Sequence, residues 1–412
     1  MKKLPATTVY LILTTASTLF SYSVFTVSAV YRVTVAGLNP LQLVLVGTAL
    51  ETTIFVCEIP TGVLADVHSR RLSIIIGTFL IGAGFILEGS EPTFAAILLA
   101  QVLWGIGYTF MSGAQQAWIS DEVGEKKAHQ VFLRGAQVSQ MGGLFGTFLG
   151  VGLASYRIGL PMVAGGGLYL GLGLFLMLFM PERGFMPQPH NRRTPWKSMA
   201  HTLRGGVYRI RRQPVLMILL GVGALHGLAS EGLDRLWEMH FLQNFALPGL
   251  GLLEPIVWFG IINAIASILS ILGVELIRLW LAEKGYLNAA KALLVIDSLL
   301  IVSLLTFSLS HSFELALASC WATDLLRAAN EPVYIAWINQ KLNSATRATV
   351  FSMGSQINAI GKILGGPILG VIGNDLSIRA AIAASGMILV PVLLLYMRTL
   401  RHHWSQVTEM KP

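Results

Sequence analysis

Two stretches of this sequence place ionisable side chains at helical spacing inside apolar runs. Residues 231–240 are EGLDRLWEMH, and residues 321–332 are WATDLLRAANEP. The charges recur every three or four residues, which puts each set on one face of a helix; the sets are Glu231, Asp234, Arg235 and Glu238, and Asp324, Arg327 and Glu331. Carboxylates beside guanidinium groups can take up and release protons or bind a polar ligand. These faces therefore predict a proton-coupling or substrate site.

The cost of burying charge limits where the two faces can lie. A charged side chain at the centre of a bilayer costs about 2.5–3.5 kcal/mol on insertion scales, so the faces are expected to meet each other or water. From their depth, Asp324 and Arg327 are the predicted substrate or coupling groups. Glu231 is the predicted proton-carrying acid, because partial burial favours a protonated carboxyl. A static salt-bridge network is the alternative.

The composition is that of a membrane protein. Of 412 residues, 54% are hydrophobic and 12% are charged, whereas soluble domains carry roughly 25% charged residues. Long apolar runs indicate transmembrane helices. Twelve are predicted, at approximately 7–33, 40–65, 72–89, 93–120, 129–156, 159–180, 214–242, 254–280, 287–309, 312–340, 347–372 and 377–399. The predicted fold class is an all-α polytopic membrane protein.

The formal net charge of +8 follows a membrane topology. Lysine and arginine concentrate in every second loop, as the positive-inside rule requires of cytoplasmic loops. The pattern predicts a protein of the cell (inner) membrane with both termini cytoplasmic, and the first span, after Lys2 and Lys3, is expected to be an uncleaved anchor. Lipid headgroups, and no nucleic acid, are the predicted neighbours of the basic residues. Cys57 and Cys320 fall inside predicted spans and suggest neither a disulfide nor a metal site.

The second half of the chain repeats the first. Residues 117–119, AWI, recur at 336–338, and VFLRGAQ at 131–137 recurs as VFSMGSQ at 350–356, with the same offset along the chain in both cases. Such repeats of six helices are known in secondary transporters. The predicted organisation is two pseudo-symmetric six-helix bundles at 1–181 and 214–400, a cytoplasmic linker loop at 182–213 and a cytoplasmic tail at 401–412.

Catalytic motifs are missing from the sequence. It contains no GxxxxGK, HExxH, GxSxG or EF-hand pattern. An enzyme is therefore the least favoured interpretation, and no cofactor or metal is expected. Because no stretch is suited to ATP hydrolysis, any uphill transport must draw on an ion gradient.

The loop after the second span carries a family motif. Residues 62–71, GVLADVHSRR, resemble the G-x-L-x-D-R-x-G-R-R/K signature of the major facilitator superfamily, with matches at Gly62, Leu64, Asp66, Arg70 and Arg71. Gly62 is expected to let two helices approach closely. The resemblance implies an interdomain latch in which Arg70 pairs with Asp121, at the end of the fourth span. A solvated turn is the alternative.

Within that superfamily, EIPTGVLAD and SGAQQAWISDE most resemble the macrolide- and tetracycline-type drug–proton antiporters. In the motif that drug exporters carry in the fourth span, Gln101 replaces an arginine. The resemblance implies export of amphipathic organic compounds by alternating access, driven by the proton gradient, from a protein that we expect to be monomeric. The alternatives are a proton-coupled importer of a small nutrient, a lipid or lysolipid flippase of the same fold, and a non-transporting sensor or scaffold.

In the same superfamily the first, fourth, seventh and tenth helices line the central cavity, and this assigns further residues. Trp104, Tyr108 and Trp321 are the predicted stacking surface for a flat substrate. Predicted gating pairs are Glu51 with Lys362, Glu275 with Arg134, and Asp234 or Glu238 with Arg32, while Glu58 lies deeper in span two. Asp297, alone in the ninth span, is expected to serve as a local helix partner.

Overall fold

A computed structural model describes residues 3–187, 214–248, 256–284, 289–341 and 344–409. The described residues form fourteen helices: α1 Ala6–Thr34, α2 Pro40–Val67, α3 Arg70–Ser90, α4 Phe94–Met111, α5 Ala114–Val123, α6 Glu125–Ala154, α7 Leu160–Phe179, α8 Pro214–Asn244, α9 Ile256–Lys284, α10 Ala289–Leu309, α11 Phe313–Lys341, α12 Ser344–Asp375, α13 Ile378–Ile388 and α14 Val390–Glu409. The predicted tail at 401–412 is helical as far as Glu409. Most of the predicted linker, from residue 188 to residue 213, lies outside the described residues.

The fourteen helices correspond to the twelve predicted spans. Helices α4 and α5 form one span with a break at Gly113, whose φ of +73° suits glycine. Helices α13 and α14 likewise form the last span. Nine spans in the described residues are long and apolar enough to cross a membrane by length and composition. The three long helices outside that set are α6, α8 and α11, of which α8 and α11 carry the two charged faces. The predicted all-α polytopic fold is confirmed.

Short polar side chains set several helix starts. The hydroxyl of Ser69 accepts a hydrogen bond from the backbone N–H of Leu72 at 2.9 Å and so caps α3. Ser377 caps α13 in the same way, through the N–H of Ala380 at 3.1 Å. Such caps satisfy backbone donors that the first turn of a helix leaves without a partner.

Contacts divide the chain into two compact units. Unit 1 contains α1, α2 from Ala49 onward, α3 to α7, and the start of α9 as far as Gly260. Unit 2 contains Asn39 and the first turns of α2 as far as Thr48, together with α8, the rest of α9, and α10 to α14. The first turns of α2 pack on α12, where a Cβ at Gly370 would lie 2.9 Å from Leu41 Cδ1.

Helix starts in the two units keep the spacing of the sequence repeat. Helices α3 and α10 begin at Arg70 and Ala289, α4 and α11 at Phe94 and Phe313, and α6 and α12 at Glu125 and Ser344. The offset within each pair is the one that separates the repeated sequence stretches. The predicted pseudo-symmetry therefore extends well beyond the short stretches that revealed it.

Glycines fix the correspondence of the first helix in each unit. A Cβ at Gly142 of α6 would lie 2.8 Å from the carbonyl oxygen of Thr15 on α1. Its counterpart Gly361 of α12 meets the carbonyl oxygen of Ala224 on α8 at 2.5 Å. Both approaches are too close for any residue but glycine. In this alignment of α1 with α8, Thr15 corresponds to Ala224. The difference in residue number between these two helices is smaller than the one that relates the other helix pairs.

Candidate functional site

The two charged faces meet inside unit 2. Nη1 of Arg327, on α11, donates to Oδ1 of Asp234, on α8, at 2.6 Å. One turn away, Nε of Arg235 donates to Oε2 of Glu231 at 3.3 Å, along the same helix. Asp324 acts electrostatically on Arg327 and on Asp234. We call these five residues the ionic network.

Solvent access differs sharply among members of the ionic network. The Glu231 side chain is 1% exposed, whereas those of Asp234 and Arg327 are 29% and 36% exposed. An ion pair buried in a low dielectric is costly unless both partners stay together. The network thus joins one enclosed carboxylate to a pair that is partly exposed.

Two neighbours shape the ionic network. Lys362, half-buried on α12, acts electrostatically on Asp234. Gly47, in the first turns of α2, leaves room for the side chains of Arg235 and Glu231. A Cβ at this position would overlap Nε of Arg235 and would lie 2.6 Å from Oε2 of Glu231. The other predicted members of the charged faces differ in burial, since Glu238 is half-buried and Glu331 is exposed.

The structure places Asp234 and Arg32 differently from the predicted outer latch. Asp234 bonds to Arg327, and Arg32, on α1, donates through Nε to Oε1 of Glu88, on α3, at 2.8 Å. Gln101 on α4 donates through Nε2 to Oε2 of Glu88 at 2.9 Å. All three of these unit 1 side chains are buried. Sequence reasoning missed Glu88, although an acid inside an apolar span was the available signal.

Unit 1 presents aromatic rings where unit 2 presents charge. The Trp104 indole stacks on Tyr108 with centroids 5.4 Å apart, and Phe25 on α1 meets Trp104 edge-on at 5.6 Å. Phe25 and Tyr108 are exposed. Among the described residues, Trp104 Nε1 is buried and has no hydrogen-bond partner. We call Phe25, Trp104 and Tyr108 the aromatic strip; Phe25 was not predicted.

Trp321, predicted to stack on substrate with Trp104 and Tyr108, makes a contact within the fold, and its stacking role stays a prediction. Its indole Nε1 donates to the carbonyl oxygen of Ile262 on α9 at 3.1 Å, and the side chain is half-buried. This bond holds α11 against α9 within unit 2.

The loop between α2 and α3 gathers charges from three segments of unit 1. Arg70 forms ion pairs with Asp121 and, at 3.3 Å, with Asp66. Sequence reasoning missed Glu182, whose carboxylate accepts from the hydroxyl of Ser69 at 2.6 Å and from the backbone N–H of Arg71 at 2.9 Å. The structure thus brings together Arg70 and Asp121, which the sequence analysis paired, and their role as a latch stays a prediction.

The expected close packing of two helices at Gly62 stays a prediction, and unit 1 supplies no close neighbour there. No heavy atom of the described residues would lie within 4 Å of a Cβ at that position. Leu64, on the same turn, is also exposed. The turn therefore presents an open surface within unit 1.

The remaining gating predictions join residues of different units and stay predictions. Glu51 is half-buried in unit 1 and Lys362 half-buried in unit 2. Arg134 and Glu58 are exposed in unit 1. Within unit 2, Glu275 pairs with Arg278 on its own helix, through Nε to Oε2 at 2.8 Å.

Comparison with known proteins identifies relatives over most of the chain. A family model described as the Major Facilitator Superfamily matches residues 11–323. The uncharacterized MFS-type transporter YxaM of Bacillus subtilis (strain 168) is 24% identical over 356 residues, which cover 86% of this chain and 86% of the relative.

Solved structures share the fold at low sequence identity. The nucleoside transporter NupG is 15% identical with a TM-score of 0.76, over 96% of this chain and 99% of that chain. A bacterial homologue of the human lysosomal transporter Spinster, in an inward-facing and occupied conformation, is 16% identical with a TM-score of 0.73, over 97% of this chain and 98% of that chain. These likenesses establish the twelve-helix fold.

Proposed function

This chain belongs to the Major Facilitator Superfamily, and we propose that it is a proton-coupled secondary transporter that exports amphipathic organic compounds. The proposed substrates are amphipathic molecules such as tetracycline and macrolide antibiotics, of which the tetracyclines have a flat ring system suited to stacking. The protein would act as a monomer in the inner membrane, with both termini cytoplasmic and the proton gradient as its energy source. The observation that carries this proposal is the ionic network of unit 2.

The ionic network can exchange protons without leaving an arginine alone. Three acids act on Arg327, because Asp234 is bonded to it and Asp324 and Glu231 act on it electrostatically. A proton on any one of them leaves the others to balance the guanidinium. Glu231 is enclosed beside Arg235, so a proton there would weaken the pairing of these two residues. Each protonation changes which pairs exist, and this can bias one transport state over another.

The aromatic strip supplies the complementary surface for an organic substrate. Offset stacking and edge contacts with aromatic rings are each worth about 0.5–1.5 kcal/mol beyond burial. The indole N–H of Trp104 has no hydrogen-bond partner among the described residues, and a polar substrate atom could accept from it. Alternating access then requires that protons and substrate favour different states of one protein.

Proton-driven transport tests this proposal directly. Everted membrane vesicles containing the Glu231→Gln or Asp324→Asn variant are energised, and release of protons on addition of tetracycline or erythromycin is followed with a pH-sensitive dye. Each variant is expected to lose about tenfold or more of the native rate, because one proton-carrying group is gone. Glu314→Gln, at an exposed position in the first turn of α11, is the matched control. Undiminished transport in both variants would remove the assignment.

The direction of transport is settled by a second measurement. An efflux-deficient host expressing this chain is expected to resist the same antibiotics and to accumulate less of them. Greater accumulation with no resistance would favour the importer instead.

A further inference from the structure

A second set of ionisable side chains lies inside unit 2, apart from the ionic network. Asp297, on α10, is 0% exposed. His226 Nε2, on α8, is 3.2 Å from Oδ2 of Asp297, and Nδ2 of Asn330, on α11, donates to Oδ1 at 2.7 Å. We call these three residues the buried triad. Three different helices therefore converge on one carboxyl group.

The surroundings of the buried triad hold few other charges. Tyr396 on α14 is buried and acts electrostatically with Asp297 and with Tyr334 of α11. Several other ionisable groups on the elements packed around it are engaged or directed elsewhere: Tyr334 donates to the carbonyl oxygen of Leu219 at 2.7 Å, Arg379 of α13 donates to Asn244, Lys362 of α12 acts on Asp234, and Lys291 of α10 is exposed. The charged groups of the ionic network on α8 and α11 pair with one another, His240 of α8 bonds to the backbone oxygen of Phe307, and Glu331 of α11 and Arg398 of α14 are exposed. The imidazole of His226 is thus the one basic group that bonds to Asp297 among the described residues.

The chemistry of the buried triad favours one bound proton. A carboxylate buried with only neutral donors loses most of its hydration energy and gains little in return. One proton removes that cost in either of two ways. On His226 it makes an imidazolium that pairs with the Asp297 carboxylate, and on Asp297 it makes a neutral carboxylic acid. Asn330 fits both forms, because its amide can donate to a carboxylate or accept from a carboxylic acid.

We propose that His226, Asp297 and Asn330 form a proton-binding site separate from the ionic network. The His226 side chain is 25% exposed, whereas Asp297 is enclosed. A proton taken from water forms an N–H bond on the imidazole and is shared with Oδ2 of Asp297; its return to water reverses the step. His226 thus exchanges the proton with water, and Asp297 shares the bound proton inside the protein.

The position of the buried triad links it to transport, and this role rests on the proposed function. Asn330 lies three residues beyond Arg327 on α11, and His226 lies five residues before Glu231 on α8. Pro332, inside α11, removes a backbone hydrogen bond just beyond Asn330 and weakens the helix there. Gain or loss of the proton changes the bonds that tie α8 and α11 to α10, so both sites act on the same two helices.

Infrared difference spectroscopy tests proton binding without any substrate. The purified full chain is titrated with acid and base, and the C=O band of protonated carboxyl groups is recorded. Asp297→Asn is expected to remove one band from the native titration. His226→Gln is expected to change the pH range over which that band is present, because the carboxylate loses its ionic partner.

Matched variants separate the site from general damage. Asp375→Asn, which removes an exposed acid, is expected to take away a different band that His226→Gln does not shift. If Asp297→Asn fails to fold, His226→Gln alone decides the matter. A titration that is the same in folded His226→Gln and native protein overturns the proposal.

Failure of the proposed proton site and failure of the proposed drug export give different results. Proton release on addition of tetracycline or erythromycin is measured with the same variants in vesicles. A band that depends on His226 and Asp297, in a protein that moves none of these compounds, keeps the proton site and refutes drug export. Native coupling in folded Asp297→Asn, with its band gone, overturns the link to transport.

Discussion

The two units place opposite chemistry at equivalent positions. Between α1 and α4 of unit 1, Phe25 meets Trp104, which stacks on Tyr108. At the offsets that align the units, Phe25 corresponds to Asp234 and Tyr108 to Arg327, the bonded ion pair of unit 2. Between the first and third helices of each unit, α1 with α3 and α8 with α10, the units differ in the opposite sense. Here unit 1 has the ion pair of Arg32 and Glu88, and unit 2 has the rings of Phe241 and Phe307 with centroids 5.4 Å apart.

A third pair of equivalent positions also differs in chemistry between the two units. Thr78 and Met111 of unit 1 meet through Oγ1 and Sδ at 3.8 Å. Their counterparts in unit 2 are Asp297 and Asn330, which are bonded at 2.7 Å. At two of these positions, Arg32–Glu88 with Phe241–Phe307 and Thr78–Met111 with Asp297–Asn330, both units keep a contact while the chemistry of the side chains differs.

This comparison distinguishes a fully buried ion pair in unit 1 from partly exposed ion pairs in unit 2. The Arg32–Glu88 pair is buried on both sides, at 9% and 1% exposure, and Gln101 satisfies the second carboxylate oxygen. Such a pair has no ready path for protons. The unit 2 pairs keep one or both partners partly exposed, so their protonation can respond to the medium. We infer that the repeat divides its work, with substrate stacking in unit 1 and proton exchange in unit 2.

The largest expected effect comes from breaking the ion pair of unit 1. Arg32→Leu leaves Glu88 buried without its cation, and losing one partner of a buried pair costs about 3–5 kcal/mol. The triple variant Arg32→Phe, Glu88→Phe, Gln101→Cys reproduces the residues of unit 2 at these positions and is expected to recover most of that loss. Thermal unfolding of the purified proteins measures both. A single variant as stable as the native chain would contradict a structural role.

The next largest effect concerns the ion pair of unit 2. The double variant Asp234→Phe, Arg327→Tyr copies the aromatic residues of unit 1, and it is expected to fold but to lose about tenfold or more of proton-driven efflux. The reason is that the proton-exchanging pair is replaced by rings of fixed charge state. Dye-monitored transport in vesicles and thermal unfolding are measured together. Native transport in the double variant would end the proposed division of work.

A smaller effect is expected at the aromatic strip. Trp104→Ala removes one stacking partner, which is worth about 0.5–1.5 kcal/mol and so about 2- to 12-fold in substrate affinity. Trp104→Phe keeps a ring and is expected to lose less. The concentration dependence of tetracycline transport measures the difference. Equal losses in the two variants would show that the ring itself is not what the substrate contacts.

The smallest effect is expected at Gly47, beside the ionic network. Gly47→Ala places a methyl group against Arg235 and Glu231 and is expected to lower the efflux rate about twofold, because the flexible arginine can move aside. Gly171→Ala, where a Cβ meets nothing within 4 Å among the described residues, is the control. A loss as large in the control as in Gly47→Ala would exclude a specific contact.

Sequence reasoning identified most of the fold and half of the site. Apolar runs predicted the twelve spans, and the spacing of EGLDRLWE and TDLLRAANE predicted two charged helix faces. The bonding partner of each charged residue was harder to predict. Asp234, for example, was assigned to an outer latch but bonds to Arg327. Glu88 and Phe25 were missed and Asp297 was given only a local role, since a single residue in an apolar helix carries no spacing signal.

The sequence by itself determined the number of spans, the constant offset of the internal repeat and the face of each helix on which charges lie. These follow from hydropathy and helical periodicity, which are properties of one segment at a time, and from matching one half of the chain to the other. Only the tertiary structure decided which charges meet, because pairing depends on the rotation and relative height of separate helices. Those quantities are set by close packing, such as Gly142 and Gly361 against neighbouring backbones, and not by spacing within a helix.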